Sequence, residues 1–285
     1  MSVRHRNNCH PHSWRRRRKS GSLNWLFVSR KGRKLRWIGG LLFYAALLYV
    51  AYVFLVSPST LRWRGIFGET KMPEGYSIYG MDVSHHQGDI AWGKVRKARL
   101  DGRPIAFVFI KATEGVRMVD ENFERNYAGA HAEGILCGCY HYFSPSVSAE
   151  EQARHFIRTV TVSPGDLPPV LDVEEQGSLT SEELRNAVLQ WMDRVEKQYH
   201  VKPILYTGRN FWKEHFADRR FGKYPLWLAH YYVDEPESDI AWCFWQHTDA
   251  GSVDGIRGRV DLNVFNGSMY RLRQLTVEGS DSEPN

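Results

Sequence analysis

The run "PPVLDVEEQGS", residues 168–178, places three carboxyl groups, Asp172, Glu174 and Glu175, directly behind apolar residues. Along a strand, side chains alternate between faces. Asp172 and Glu174 therefore share one face, Leu171 and Val173 take the other, and Glu175 points away or has already entered a loop. Two carboxyls on one face suit glycoside hydrolysis: one protonates the leaving oxygen while another supports positive charge at the sugar. Tyr and Trp residues nearby suit the apolar C–H face of a pyranose. A buried ion-pair network, with Lys111 holding Asp82 or Glu174, is the plain structural use of such acids.

The elements that must position these groups alternate along the chain. Strands are expected at 77–84, 105–113, 135–143, 169–174 and 203–208, each followed by a helix, at 91–101, 121–133, 148–160, 180–199 and 209–217. The helices at 148–160 and 180–199 open on "SAEE" and "TSEE", a capping-box pattern. Repeated strand–helix units predict a parallel sheet with helices outside. Three further strands, at 225–232, 241–248 and 259–265, are joined by segments without helical periodicity. A parallel crossover usually needs a dozen or more residues, most often a helix, so hairpins or short loops are expected there. The sum is an α/β protein: an irregular TIM-like barrel of five strand–helix units and three more strands. Chemistry in such barrels sits at the C-terminal strand ends. Those ends carry Asp82, Lys111, Glu114, His141, Asp172, Glu174, Tyr206, Trp245 or Gln246, and Asp261.

The net charge of +6 belongs to one end of the chain. Residues 1–36 hold 12 Lys or Arg and no acid, leaving 26 basic and 32 acidic side chains beyond them. The folded domain is thus acidic, and nothing in it asks for nucleic acid. Residues 37–57, "WIGGLLFYAALLYVAYVFLVS", carry no charge. As a helix, the run is about 30 Å long, the thickness of a hydrocarbon core. The expected layout is a basic cytoplasmic arm (1–36), a transmembrane helix (37–57), a linker (58–75), the barrel (76–275) and a polar tail (276–285). Cations before the span place the N-terminus inside and the barrel outside the membrane. A cleaved signal peptide is the rival reading, against which stand the length of the run and the absence of a small-residue cleavage site.

Of the four cysteines, Cys9 falls in the arm. Cys137 and Cys139 lie on one face of a strand, poor geometry for bridging each other, and with Cys243 read as small buried apolar residues. No metal-ligand spacing and no cofactor-binding loop stands out.

The motifs "GMDVSHHQGDIAW", "FVFIKATEG", "GCYHYFSP", "PVLDVEE", "ILYTG", "LWLAHY", "FWQHT" and "GRVDLNVFNG" occur in an order that resembles glycoside hydrolase family 25, a family of lysozymes. The resemblance spans about residues 76–275. It implies a (β/α)5(β)3 barrel and N-acetylmuramidase activity, cleavage of the β-1,4 bond between N-acetylmuramic acid and N-acetylglucosamine. It implies Glu174 as general acid, Asp172 as its partner, and Asp82 and Asp261 as the remaining acids. Asp172 is left open between nucleophile, base for water, and a group orienting the substrate's own 2-acetamido. Expected substrate contacts are Lys111, Tyr140, Tyr142, Tyr206, Trp227, Trp245 and Gln246. His247 departs from the family's usual aromatic, and altered sugar contacts are expected there. The expected partners are peptidoglycan strands and, through 37–57, the lipid bilayer of a bacterial inner membrane, with the barrel on the periplasmic side. A catalytically silent glycan-binding module is the alternative, disfavoured by retention of all four acids.

Overall fold

The computed structural model describes residues 30–55 and 72–278, with side chains for 37–50 and 72–278. Contacts divide the chain into two compact units, Met1–Val56 and Ser57–Asn285. In the first, α1 (Arg30–Leu55) is one continuous helix. Its large apolar side chains, among them Trp37, Leu41, Phe43 and Tyr49, are exposed. Among the described residues no helix is long and apolar enough to cross a membrane. The expected span at 37–57 is therefore not established by the fold. The arm before residue 30, the linker up to residue 71 and the tail from 279 lie outside the described residues.

The second unit contains β1 (Ile78–Val83), β2 (Arg99–Leu100), β3 (Arg103–Glu114), β4 (Met118–Val119), β5 (Leu136–Tyr142), β6 (Val170–Asp172), β7 (Ile204–Gly208), β8 (Leu226–Ala229), β9 (Phe244–Gly251) and β10 (Val260–Phe265). The ring runs β1, β3, β5, β6, β7, β8, β9, β10 and closes back on β1. Neighbours from β1 to β9 are parallel, whereas β10 is antiparallel to both β9 and β1. Strand alternation sorts the core into two layers. Phe107, Phe109, Tyr206, Trp227 and Phe244 fill the barrel, while Val108, Ile110, Leu171 and Leu205 pack outward with Phe156 and Trp191 of the helices. Phe109 stacks on Trp227 with ring centroids 4.3 Å apart. The interior aromatics need bare backbone opposite them: a Cβ on Gly80 would lie 2.4 Å from the Phe107 ring.

Outside lie α2 (Trp92–Val95), α3 (Phe123–Ala132), α4 (Ala149–Thr159), α5 (Ser181–Tyr199) and α6 (Arg209–Phe211), the last running into a π-helical turn at Trp212–Phe216. The reciprocal capping box forms at Thr180 and Glu183, whereas Ser148 only accepts from the Glu151 N–H. A short helix, α7 (Met269–Gln274), follows β10 and sends Leu272 into the inner layer.

One expectation needs correction, and one that was open is decided. The helix at 91–101 stops at Val95, and the chain then makes the β2–β3 hairpin. Asp101 and Gly102 both have positive φ, 48° and 76°. Asp-Gly is the two-residue turn that favours such a hairpin, and it ends the helical periodicity. Of the hairpins or short loops expected between the last strands, the β8–β9 connection is a helix-free loop, because these two strands are parallel. Residues 230–243 make that crossover without a helix, so only β9 and β10 form the expected antiparallel pair.

Candidate active site

Asp82, one residue before the end of β1, faces Asp261, its direct partner in the antiparallel register; Asp261 lies at the start of β10 rather than at a C-terminal strand end. Asp82 Oδ2 accepts from Gln246 Nε2 at 2.8 Å and from Asn263 Nδ2 at 2.8 Å. Gln246 Nε2 also reaches Asp261 Oδ2 at 3.2 Å. The other end of the same amide, Oε1, accepts from the Tyr206 and Tyr231 hydroxyls, each at 2.7 Å. Gln246 thus ties the two acids on one side to two phenols on the other. Asn263 is fixed in turn, because its Oδ1 accepts from the Trp227 indole N–H at 2.8 Å.

Asp172 ends β6, between β5 and β7. The backbone beyond it is pinned from both sides: Phe143 N–H donates to Asp172 O at 2.8 Å, and Val173 N–H to Tyr206 O at 3.0 Å. Thr207 Oγ1 adds a bond to Val173 O at 2.7 Å. These bonds extend the strand's geometry as far as Glu174. Asp172 is buried, and its Oδ1 has no hydrogen-bond partner among the described residues. Glu174 and Glu175 are exposed.

Burial first, and Glu174 second, raise the Asp172 carboxyl well above its usual range, with Lys111 pulling the other way. Glu174 is also raised, mainly by desolvation from the surrounding walls and less by Glu175, while a hydrogen bond with Tyr206 and the charge of Lys111 lower it. Because its side chain reaches water, its shift is the smaller one. Asp82 and Asp261 are both raised, Asp82 by burial despite its hydrogen bonds and Asp261 by burial and then by the charge of Asp82. Tyr140, Tyr206 and Tyr231 are pushed up by burial before any charge, so all three stay protonated donors at ordinary pH. Lys111 pairs with Glu114 at 2.7 Å and sits 5.1 Å from the centre of the Tyr142 ring, an ammonium over an aromatic face.

The structure therefore brings together Asp82, Asp172, Glu174, Asp261, Lys111, Tyr140, Tyr142, Tyr206 and Gln246. Two expected sugar contacts are corrected. Trp227 is 2% exposed inside the barrel, where it orients Asn263, and Trp245 is fully buried on the outward face of β9 with its indole N–H on His230 O. Neither ring is open to a sugar. His247 alternates to the same outward side as Trp245 and is buried, so it makes no altered sugar contact. Its pKa is lowered to about 4 by burial. His141 braces the wall: it contacts Thr113 at 2.7 Å and Gln152 at 3.2 Å, and burial lowers its pKa to about 3. His85 is held by the buried Asp120 at 2.8 Å. Cys137 and Cys139 are buried and unbridged, as their spacing implies, and Cys243 is also free. Asn263 and Tyr231 were not foreseen. Asn263 is two residues beyond Asp261 on one strand face, and Tyr231 closes the motif LWLAHY on the face of Trp227 and Ala229, signals the alternation already carried, although the strand itself stops at Ala229.

Residues 81–256 match the family model described as glycosyl hydrolases family 25. The chain belongs to glycosyl hydrolase family 25. It is 51% identical to the uncharacterized protein YegX of Escherichia coli K12, over 75% of this chain and 78% of that one. Lysozyme M1 of Streptomyces globisporus is 34% identical, with 70% of this chain and 71% of the lysozyme covered. Among solved structures, the bacterial lysozyme from Streptomyces coelicolor superposes with a TM-score of 0.65 at 33% identity, over 71% of this chain and 98% of that chain. A family 25 glycosyl hydrolase from Bacillus anthracis gives 0.66 at 30% identity, over 74% and 98%. The protein is a glycoside hydrolase with the mixed α/β barrel of that family.

Proposed function

We propose that this family 25 enzyme hydrolyses the β-1,4 bond between N-acetylmuramic acid and N-acetylglucosamine in peptidoglycan. The observation that carries the reading is the pairing of a buried Asp172, one oxygen of which has no partner among the described residues, with an exposed Glu174 two residues on. A buried carboxylate oxygen without a partner is costly unless a ligand supplies a donor. The 2-acetamido N–H of the substrate is such a donor. Its hydrogen bond favours ionised Asp172, which leaves Glu174 as the group of the pair that keeps the proton. Glu174 then protonates the leaving oxygen, and as that C–O bond breaks the carbonyl oxygen of the acetamido group, whose N–H donates to Asp172, closes on the sugar carbon; water then opens this ring to give the product. Asp82 and Asp261, bridged by Gln246, complete the acidic wall.

The same reading puts the protein in a bacterial inner membrane through residues 37–57, with the barrel on the periplasmic side. Its support is the charge-free run behind an arm that holds only cations. Lysozyme M1, by its name, and the family relationship support the substrate.

Turnover of purified peptidoglycan tests the reading. Glu174→Gln keeps the shape but delivers no proton, so kcat is expected to fall about 10²-fold or more, and Asp172→Asn to be severely impaired. Glu175→Gln is expected to be nearly silent. Because Glu174 must be protonated, activity is lost as pH rises through its raised pKa. Near-normal turnover by Glu174→Gln, or an inactive Glu175→Gln, sinks the assignment.

A further inference from the structure

The barrel has a second end, opposite the acidic mouth, where its parallel strands begin. Two recesses open there. One, of about 520 Å³, lies between the segment that leads into β1 and the β2–β3 hairpin, with Arg99 and Arg103 on its wall. The other, of about 550 Å³, lies where β6, β7, β8 and β9 begin, with Lys202 and Lys223 on its wall. All four cations are exposed, as are Arg96 and Lys97 just before the hairpin. Among the described residues none of the six forms an ion pair, and Lys223 has only the Tyr224 ring, 4.7 Å from its ammonium. Toward the mouth, Lys111 is paired with Glu114, Arg125 with Asp89, and Arg209 and Lys213 with Glu237. Arg117, Arg257 and Arg259 stand open there, but among more acids than cations: residues 230–240 alone add four acids and no Lys or Arg. The barrel is acidic as a whole, yet its open positive charge collects at the base.

Open cations on an acidic domain suit an anionic partner. Chain connectivity says which one. Met72 and Pro73, on the wall of the first recess, are where the barrel receives the chain from the charge-free run. Only the 14 residues 58–71 intervene. At no more than about 3.6 Å each, they reach at most about 50 Å. We infer, resting on the reading of residues 37–57 as a membrane span, that the base of the barrel docks on the anionic lipid headgroups of the leaflet on its own side. Phosphodiesters then meet Arg99 and Arg103 at one recess and Lys202 and Lys223 at the other. Arg99 is set for this: its Nη1 donates to the carbonyls of Arg96, Lys97 and Ala98, which fixes the guanidinium and leaves its other nitrogens for a phosphate. Attraction to such a surface fades within a Debye length, about 8 Å at physiological salt, so only the end that touches the bilayer feels it. The same field repels the acidic mouth. Both effects turn the strand ends that carry Asp82 and Asp172 away from the lipid and toward the glycan. So few cations do not hold a free barrel at that salt. A short tether keeps the local concentration near about a millimolar, and a weak patch then sets the orientation.

Hydrogen–deuterium exchange of the full chain in lipid nanodiscs tests the docking. One disc is phosphatidylcholine alone; the other holds about one-third phosphatidylglycerol, an anionic lipid. Backbone amides in residues 96–103 and 222–225 are expected to exchange about threefold or more slowly in the anionic disc, with those around Glu174 unchanged. The protection is expected to vanish in about 1 M salt, where the Debye length is about 3 Å. It is also expected to vanish in the triple variant Arg103→Gln, Lys202→Gln, Lys223→Gln, whose turnover of soluble glycan strands stays within about twofold of wild type because none of the three reaches the mouth. The two discs are compared with the wild-type chain, so the result stands even if the variant misfolds. Equal exchange of the base in both discs overturns the docking alone. So does protection of the base by soluble glycan strands in the phosphatidylcholine disc, which would assign the patch to the cell wall. A chain that stays with neither disc once detergent is removed overturns the membrane reading and the docking with it.

Discussion

Asp261 shows most directly how a single group sets both stability and chemistry. Burial, then the charge of Asp82, raises its carboxyl, and burial raises Asp82 as well. An acid with a raised folded-state pKa holds its proton more tightly in the native chain than in the unfolded one. Its contribution to stability is therefore complete below the unfolded value of about 4 and is lost as pH rises through the raised value. Asp261→Asn is neutral at every pH without holding a proton, can still accept from Gln246, and keeps a donor toward Asp82. At pH 8 the variant is expected to be more stable than wild type by about 1–2 kcal/mol, a figure limited by the partial solvent access of Asp261. Near pH 4 the difference should vanish, and turnover should fall at every pH. Denaturant unfolding at the two pH values checks this; equal stability at pH 8 would refute the crowding argument. Asp82 and Asp172 were legible in the sequence, because each falls where an apolar run stops at the C-terminal end of its strand; Asp261 lies near the start of β10 and reaches the same mouth because that strand is antiparallel. The correct use of the tryptophans was not legible. Residue type announces an aromatic ring, but only packing decides that Trp227 faces inward to hold Asn263 and Trp245 faces outward.

At the scale of elements, β6 is only three residues long, yet it must hold Glu174 beyond its own end. Hydrogen bonds from β7 do this work, above all Thr207 Oγ1 on Val173 O at 2.7 Å. Thr207 is fully buried, so Thr207→Val keeps the volume and leaves that carbonyl without the hydroxyl. The expected cost is about 1–3 kcal/mol of stability, with a lower kcat as the segment carrying Glu174 loosens. Chemical denaturation and peptidoglycan turnover read the two effects, and a variant as stable as wild type would show that the bond carries no weight. Strand–helix alternation made the first five units readable, because each apolar run is bounded by caps and turns. The last third was harder. Residues 230–243 complete a parallel crossover with no helix, so the rule that such crossovers carry helices left the direction of β9 open between a hairpin and a loop. The Asp101-Gly102 pair went unread as a turn, so the expected helix was carried to residue 101 where the chain has already entered the β2–β3 hairpin.

The whole molecule divides charge and apolarity by region: cations before residue 37, a charge-free run to residue 57, and an acidic barrel. The barrel needs nothing from the earlier residues to complete its sheet, because β1 pairs with β3 on one side and β10 on the other. Its first described residue, Met72, already packs in the core at 7% exposure. A chain that starts at residue 70 keeps that contact. It is expected to fold, to stay in solution without detergent, and to turn over isolated peptidoglycan within about twofold of the full chain, since every residue of the acidic wall is retained. The full chain should instead sediment with membranes and resist extraction by high salt, because an apolar run of this length is held by burial rather than by charge. Ultracentrifugation of cell lysates before and after a salt wash, followed by activity in each fraction, distinguishes these outcomes. Release of the full chain by salt would reduce the attachment to the basic arm alone. Sedimentation of the shortened chain with membranes would place a membrane-binding surface on the barrel itself.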